Sequence, residues 1–305
     1  MIDAHLHVVD FLQHPVDAGE LAAALDPGNA AALADGAVVF GLPVKKKWAL
    51  SEPERPTYYL DDNAPCATYS LTDELVATVV AGLPASVRPH VAPLICGFDP
   101  TDRLGVEHVV TMSERHDGWR GIGEVLLRHD DLTELTYGEN ARAGHPALDP
   151  VLELCRDHDW PLTFHQDASS AGRSGRYEYL GEVRGMLARH PDVDLVWAHA
   201  GVGRRVRPEG LPDLFDGLLG DHPRLHVDLS WELYDAVVGD AGPEAAWLDL
   251  VARRSDRFVL GSDVFGALDG HAEALGRWQR LTDRLPDAAR SRVESENARR
   301  LWWRA

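Results

Sequence analysis

Residues 2–8 of the chain form a short apolar stretch, IDAHLHV, that carries two histidines in a pattern typical of a buried strand. Side chains alternate between the two faces of a strand, so His5 and His7 project from the same face. Seven further short apolar runs follow within the 305 residues, separated by longer segments with helical periodicity. This alternation is typical of a parallel sheet built from strand–helix units.

The eight runs have the number and spacing expected of a (β/α)₈ barrel, the TIM barrel. They lie at residues 2–8, 36–41, 88–96, 119–126, 161–165, 193–199, 224–230 and 257–262. An open doubly wound sheet is the alternative, but the sequence has no Gly-x-Gly-x-x-Gly motif of the kind that binds a dinucleotide on such a sheet. We therefore predict an α/β protein with one barrel domain over residues 1–305.

The segments between the runs contain the predicted helices and two long loops. The helices are expected at residues 71–81, 149–158, 179–190, 232–254 with a glycine-rich interruption, and 272–284. The loops, at residues 42–70 and 128–146, are longer than ordinary strand–helix connections. Because loops of this length commonly carry function, we expect the first of them to lie over the ends of the strands.

Composition and charge limit the classes of partner. Acidic residues number 49 and basic residues 30, which gives a net charge of −19. A field of that sign repels phosphate backbones and anionic lipids, so we expect a small-molecule substrate rather than nucleic acid or a membrane. Three separated cysteines fit reduced thiols, and with no secretory signal the predicted location is the cytoplasm. The sequence does not determine the oligomeric state, and a homo-oligomer is compatible with it.

Four further polar residues stand at the ends of later runs, where barrel enzymes build their active sites. They are Glu124, His165, His199 and Asp263. Two hydrogen-bonded core histidines are an adequate explanation of His5 and His7 alone. Four imidazoles and two carboxylates that converge at one end of the barrel would cost much free energy if they were buried without partners. One or two divalent cations would give all of them a partner.

This pattern resembles the amidohydrolase superfamily of metal-dependent barrel enzymes, and in particular the branch called amidohydrolase 2. The match consists of His-x-His on the first strand, Glu on the fourth, His on the fifth and sixth, and Asp on the eighth. The sequence ENARRL at residues 296–301 is similar to the Asn-Ala-x-x-Leu tail of that branch. The resemblance spans residues 2–301.

The resemblance implies a first metal held by His5, His7 and Asp263, and a second held by His165 and His199. Glu124 would bridge them where many relatives use a carbamylated lysine; alternatively, Glu124 lies outside a site with one metal. Zinc suits a set of imidazoles and carboxylates, although Mn²⁺, Fe²⁺ and Ni²⁺ accept the same ligands. Asp263 would also carry the proton from water to the leaving group, and His199 would polarise the substrate if the second metal were absent.

Substrate contacts are expected from the loops that follow the strands. The candidates are Lys45, Lys46, Lys47, Arg204, Arg205 and Trp231. The three lysines and the two arginines suit an anionic substrate, but a solvated loop face explains them as well. Trp231 and Asp228 are expected to line the pocket, with core packing as the alternative for the tryptophan. The histidines outside the strand ends, including His271, are interpreted as surface or packing residues.

The predicted function is hydrolysis of an amide, lactone or ester of a small organic molecule by metal-activated water. The alternative is a metal-dependent, non-oxidative decarboxylase of an aromatic or unsaturated carboxylic acid, because the branch that the sequence resembles contains such enzymes and they typically use one metal. Metal stoichiometry and reaction products distinguish the two.

Overall fold

The computed structural model describes residues 1–25, 34–46, 48, 50–51, 53–54, 66–68, 71–133 and 138–304. Eight parallel strands line up as predicted. They are β1 Asp3–Val9, β2 Ala37–Gly41, β3 Val91–Pro93, β4 Ile122–Leu126, β5 Leu162–His165, β6 Leu195–Ala198, β7 Leu225–Leu229 and β8 Phe258–Leu260.

The strands form two sheets whose edges meet to close the barrel. One sheet contains β1, β2 and β3, and the other runs in the order β8, β7, β6, β5, β4. A parallel bridge between Ile95 and Ile122 joins β3 to β4. On the other side, Val264–Phe265, just beyond β8, pairs with Leu6 and His7 of β1. The chain is therefore a (β/α)₈ barrel, and the predicted fold is confirmed.

Helices cover the outside of the barrel. They are α1 Ala18–Leu25, α2 Thr72–Gly82, α3 Gly105–Arg115, α4 Leu148–Asp157, α5 Leu180–Arg189, α6 Leu211–Asp221, α7 Leu233–Val237, α8 Ala245–Arg253, α9 His271–Gly276, α10 Gln279–Thr282, α11 Asp287–Ser291 and α12 Asn297–Trp302. Two short antiparallel ribbons lie outside the barrel, Val44–Lys46 with Cys66–Thr68 and Val238–Gly239 with Gly242–Pro243. Among the described residues, no helix has both the length and the apolar composition to cross a bilayer.

The helices predicted at 71–81, 149–158 and 179–190 lie within two residues of α2, α4 and α5. The segment 232–254 forms α7 and α8 with a ribbon between them, and 272–284 forms most of α9 and α10. The sequence patterns do not predict α1, α3, α6, α11 or α12. Of these, α6 has the sequence LPDLFDGLLGD, which contains proline and two glycines. Burial of Leu211, Phe215, Leu218 and Leu219 against the barrel outweighs that low helix propensity.

The apolar core has a part that touches the histidines of the first strand. Phe40 of β2 is fully buried, and its ring centroid lies 4.8 Å from that of His5 and 4.9 Å from that of His7. The same cluster includes Leu94 and the buried Trp302 of α12. The first-strand imidazoles thus rest on a packed apolar base, which restricts the rotamers that they can adopt.

A charge network joins the chain just before β6 to the C-terminal segment. Asp194 accepts from Arg224 Nη2 at 2.9 Å and contacts His226 Nε2 at 3.2 Å, and Arg304 also donates to it. Burial opposes the charge of Asp194, but hydrogen bonds from His226 and Arg304 hold the pKa of its carboxyl well below its usual range. The network therefore stabilises the fold when Asp194 is ionised.

Asp194→Asn should lower the free energy of unfolding by about 1–3 kcal/mol at neutral pH, because it removes a charge that the arginines pair with. The folded pKa lies below the unfolded value of about 3.9, so this stabilisation is present above that value and is lost as the pH falls below it. Urea unfolding between pH 6 and pH 3 measures the effect, and the gap between the two proteins should narrow in acid. The control is Asp216→Asn at an exposed pair with Arg253, and an equal loss in both variants would contradict the prediction.

Candidate metal centre

The six predicted ligand side chains meet at the C-terminal ends of the strands. His5 and His7 lie on β1, Glu124 on β4 and His165 at the end of β5. His199 directly follows β6, and Asp263 lies three residues beyond the end of β8. Asp263 is the most exposed of the six, with 12% of its side chain accessible. The mouth of the barrel thus contains one compact group of imidazoles and carboxylates.

The first trio is closely packed. The Nε2 atoms of His5 and His7 are 3.2 Å apart. Oδ1 of Asp263 lies 3.2 Å from Nε2 of His5 and 3.1 Å from Nε2 of His7. Three potential ligand atoms therefore converge on one point, as a metal site requires.

Glu124 lies between this trio and the remaining two histidines. Its Oε2 is 3.6 Å from Nε2 of both His5 and His7. Its Oε1 is 3.3 Å from Nδ1 of His165 and 3.6 Å from Nε2 of His199. Oε1 is buried and has no hydrogen-bond partner among the described residues, which is costly for a carboxylate oxygen unless a cation contacts it.

Each imidazole is held through the ring nitrogen that faces away from the centre. The contacts are His5 Nδ1 to Asp228 at 2.5 Å, His7 Nδ1 to the Gly41 carbonyl at 3.2 Å, His165 Nε2 to Asp167 at 3.1 Å and His199 Nδ1 to Ser230 at 2.8 Å. Such contacts fix the ring orientation and the tautomer of histidines that bind a metal. The four nitrogens left over all point into the centre, so the donor set fits one or two divalent cations.

The ionisable groups of the site have displaced pKa values with identifiable causes. Burial opposes the charge of His165, but a hydrogen bond with Asp167 raises its pKa to about 10. Burial lowers the pKa of His129 to about 3, and the charge of His165 acts in the same direction. Burial also opposes the charge of Asp263, yet the neighbouring His5 holds the pKa of that carboxyl well below its usual range. The centre therefore keeps its carboxylates charged and available to a cation.

Non-glycine residues just after the ends of three strands have left-handed backbone conformations. The φ angle is 57° at His199, 52° at Trp231 and 54° at Asp263. Such conformations are strained for non-glycine residues and persist only where the surroundings enforce them. They occur here at the ends of β6, β7 and β8, where the chain turns its side chains into the mouth.

Two glycines allow the backbone to approach the ligands closely. A Cβ atom at residue 261 would lie 2.4 Å from the Cβ of His5. A Cβ atom at residue 123, where φ is 142°, would lie 2.7 Å from the carbonyl oxygen of Thr163. Both contacts are much too short for carbon, so only glycine fits beside His5 and before Glu124.

Gly261→Ala should displace His5 and lower both stability and metal content. The added methyl group meets packed atoms, and overpacking of this kind costs about 1–3 kcal/mol. Thermal unfolding and metal analysis of the purified variant test this. Gly217→Ala in α6 is the matched control, since its Cβ would meet nothing within 4 Å. A Gly261→Ala protein with the stability and metal content of the parent would contradict the close approach described above.

A cavity of about 30 Å³ opens onto the centre, enough for a water molecule. Arg204 and Trp231 both line it, and the Arg204 guanidinium lies 5.6 Å from the centroid of the Trp231 ring. Arg205 instead lies 2.5 Å from the carboxylate of Asp130. Of the three predicted lysines, Lys47 lies outside the described residues, and Lys45 and Lys46 are described only in their backbone, as part of a short strand.

His129 is a residue of the site that the sequence does not predict. This residue lies in the loop after β4, lines the cavity, and stacks on His165 with ring centroids 4.3 Å apart. His129, His165 and Asp167 also group closely enough to suggest a further cation site. However, the Nδ1 of His129 accepts from the amide of Asp131 at 3.2 Å, so the neutral ring carries its proton on Nε2. Asp167 already orients His165, so His129, His165 and Asp167 together form one side of the metal centre.

Comparison with known proteins agrees with this architecture. A family model described as Amidohydrolase matches residues 2–304. An amidohydrolase from Burkholderia multivorans, solved with bound zinc, is 18% identical, has a TM-score of 0.55, and aligns over 100% of this chain and 99% of its own. A protein from Acinetobacter baumannii described as a probable 2-pyrone-4,6-dicarboxylic acid hydrolase, solved with citric acid, is 12% identical, with a TM-score of 0.56 and 98% of both chains covered.

A third solved structure, a dihydroorotase from Campylobacter jejuni, is 17% identical, with a TM-score of 0.55, and aligns over 98% of this chain and 82% of its own. At these identities the likeness concerns the fold. No curated protein matches the chain.

Proposed function

The chain belongs to the amidohydrolase family, and we propose on that basis that it is a metal-dependent hydrolase of a small organic substrate with an amide, lactone or ester bond. The observation that carries the proposal is the position of Glu124, with one oxygen facing His5 and His7 and the other facing His165 and His199. A carboxylate that faces two groups of ligands fits a centre with two cations.

In the proposed centre, His5, His7 and Asp263 would hold one cation, His165 and His199 would hold the other, and Glu124 would be available to both. Zinc is the proposed metal, because it suits imidazole and carboxylate ligands. Bound there, a divalent metal would lower the pKa of water to about 7 and polarise the bond to be cleaved.

Asp263 is the proposed proton carrier. Its low pKa leaves it ionised at neutral pH, and it is the most accessible carboxylate of the centre. It would accept the proton of the attacking water and deliver it to the leaving group, as general acid–base catalysis requires. Its Oδ2 lies 3.9 Å from Nε2 of His199, so both residues border the space where the substrate would react.

Arg204 and Trp231 are the proposed substrate contacts. Both line the cavity beside His199, and a guanidinium binds a carboxylate with directed, charge-assisted hydrogen bonds. We therefore propose an anionic substrate whose carboxylate lies against Arg204 and whose body packs on the Trp231 ring. Arg205 has a weaker claim, because Arg204 lines the cavity and Arg205 does not. Both arginines also lie near a carboxylate, Arg204 3.9 Å from Glu232 and Arg205 2.5 Å from Asp130.

Metal analysis combined with a substrate panel tests the proposed function. The purified protein is analysed for bound metals and assayed with lactones, amides, esters and aromatic carboxylic acids. Two metals per chain and products that have gained water support the proposal. One metal and released CO₂ would identify a decarboxylase instead, and full activity after complete removal of metal would refute both.

Arg204→Gln should raise KM for an anionic substrate by about 10- to 100-fold, the equivalent of one lost charge-assisted hydrogen bond. The effect on kcat should be small, since Arg204 is not among the proposed ligands. Steady-state kinetics measure both constants. Arg205→Gln is the matched control and should change KM much less; equal effects of the two variants would remove Arg204 from substrate binding.

A further inference from the structure

Asp3, at the start of β1, is a fully buried carboxylate whose two oxygens accept four hydrogen bonds. Oδ1 accepts the backbone amides of His5 and Ser262, each at 3.0 Å. Oδ2 accepts the hydroxyl of Ser262 at 2.6 Å and Nε2 of His271 at 2.8 Å. A buried carboxylate whose oxygens all accept hydrogen bonds is held rigidly. Loss of one donor leaves a buried charged oxygen without a partner, which costs free energy of folding.

Two of the four donors to Asp3 are backbone amides of the segments that carry two proposed ligands. His5 is itself a ligand, and Ser262 immediately precedes Asp263. The amide of Asp263 donates to the carbonyl of His5 at 2.9 Å, so the two ligands are also joined directly across the junction of β1 and β8. Asp263 has its left-handed φ of 54° at this point. A strained conformation needs such external support.

His271 connects this junction to the outer layer of the barrel. It is the first residue of α9, and its side chain is only 4% exposed. Among the described residues, it contributes the one hydrogen bond to the Asp3 carboxylate that comes from outside β1 and the end of β8. Between β8 and His271 the chain pairs with β1 through Val264 and Phe265. His271 is therefore placed to fix the whole segment against the ligands.

We propose that His271 is a positioning residue of the metal centre, acting through Asp3 to hold the backbone of His5 and Asp263 in the geometry that binds a cation. The inference rests on the proposed function, because it concerns the affinity of that same centre for metal. Residues that orient metal ligands typically contribute about 10- to 100-fold to metal affinity. His271 acts one bond further away, so we expect about 10-fold.

The test is a titration of the metal-free, full-length protein with Co²⁺, followed by visible absorption, which reports both affinity and the geometry of the bound ion. His271→Leu removes the donor and should weaken Co²⁺ binding about 10-fold and alter the absorption band. His271→Gln keeps an N–H donor and should restore most of the affinity. Ser262→Ala removes a second donor to Asp3 and should act in the same direction as His271→Leu.

His190→Leu is the matched control. Nε2 of His190 lies 2.8 Å from Asp149, the same distance as in the His271–Asp3 pair, but on the outer helices. This variant is expected to lose stability while it binds Co²⁺ with the parent affinity and spectrum. If both leucine variants weaken binding equally, the loss reflects general destabilisation and the positioning role is wrong.

Two other results are decisive. Parental Co²⁺ affinity and spectrum in His271→Leu would overturn the inference and leave the proposed function standing. If the parent protein itself binds no Co²⁺, the proposed function fails. Should His271→Leu not fold, the comparison rests on Ser262→Ala and His271→Gln: weaker binding in the first with near-parental binding in the second supports the role, and parental binding in Ser262→Ala contradicts it.

Discussion

Replacement of Asp263 by asparagine should leave a folded barrel with almost no turnover. Asparagine keeps the shape of the side chain and one oxygen near the Nε2 atoms of His5 and His7, so the strand ends should not rearrange. An amide cannot take up and release a proton at neutral pH, and general acid–base catalysis contributes about 10²- to 10⁴-fold to rates. Loss of the negative charge also weakens cation binding, so we expect kcat to fall by at least about 10³-fold.

The measurement is kcat at saturating substrate, with circular dichroism and thermal unfolding to verify the fold. Asp249→Asn on α8 is a suitable control, because that carboxylate lies on an outer helix and is 65% exposed. Its kcat should equal that of the parent. A near-normal kcat in Asp263→Asn would exclude Asp263 as the proton carrier.

Replacement of Glu124 by glutamine should reduce the number of bound cations from two to one. The glutamine side chain has nearly the same shape, but it supplies one neutral oxygen where the carboxylate supplies two charged oxygens, one toward each group of histidines. The trio of His5, His7 and Asp263 keeps its three ligand atoms, whereas His165 and His199 lose the charged oxygen that faces them both. We expect turnover to fall by about 10²- to 10³-fold, comparable to the loss of a group that stabilises developing charge.

Metal analysis after dialysis measures the stoichiometry directly. Glu107→Gln on α3 is the control, since Glu107 lies in the first turn of an outer helix. Two tightly bound metals in Glu124→Gln would place this carboxylate outside the centre. One metal in the parent protein would also refute the proposal of two cations and would favour the chemistry of a single ion.

The fold and the proposed ligands could be predicted from sequence because both depend on the period of the strands. Eight apolar runs indicate the barrel, and the polar residue that ends a run must lie at the mouth. The residues that orient these ligands were harder to find. Asp228 holds His5 from β7, and Ser230 holds His199 from just beyond β7. Which residue of one strand faces which residue of another is set by register and shear, and a single sequence does not show these.

Loop residues were predicted least well, for a related reason. Asp167 follows His165 by two residues, a spacing that could have drawn attention to it. His129 and His271 gave no such signal, because one lies in a loop after β4 and the other begins a helix after β8. Their positions against the site depend on tertiary contacts, namely stacking on His165 and a hydrogen bond to Asp3.

The left-handed residues at the ends of β6, β7 and β8 limit how this barrel can be engineered. Glycine would relieve about 1–2 kcal/mol of local backbone strain at Trp231. The same change would delete the aromatic wall beside His199, where the ring centroids are 5.1 Å apart. At these positions, a substitution that relieves backbone strain also removes a side chain that the site uses. Stabilising substitutions should therefore be sought on the outer helices instead.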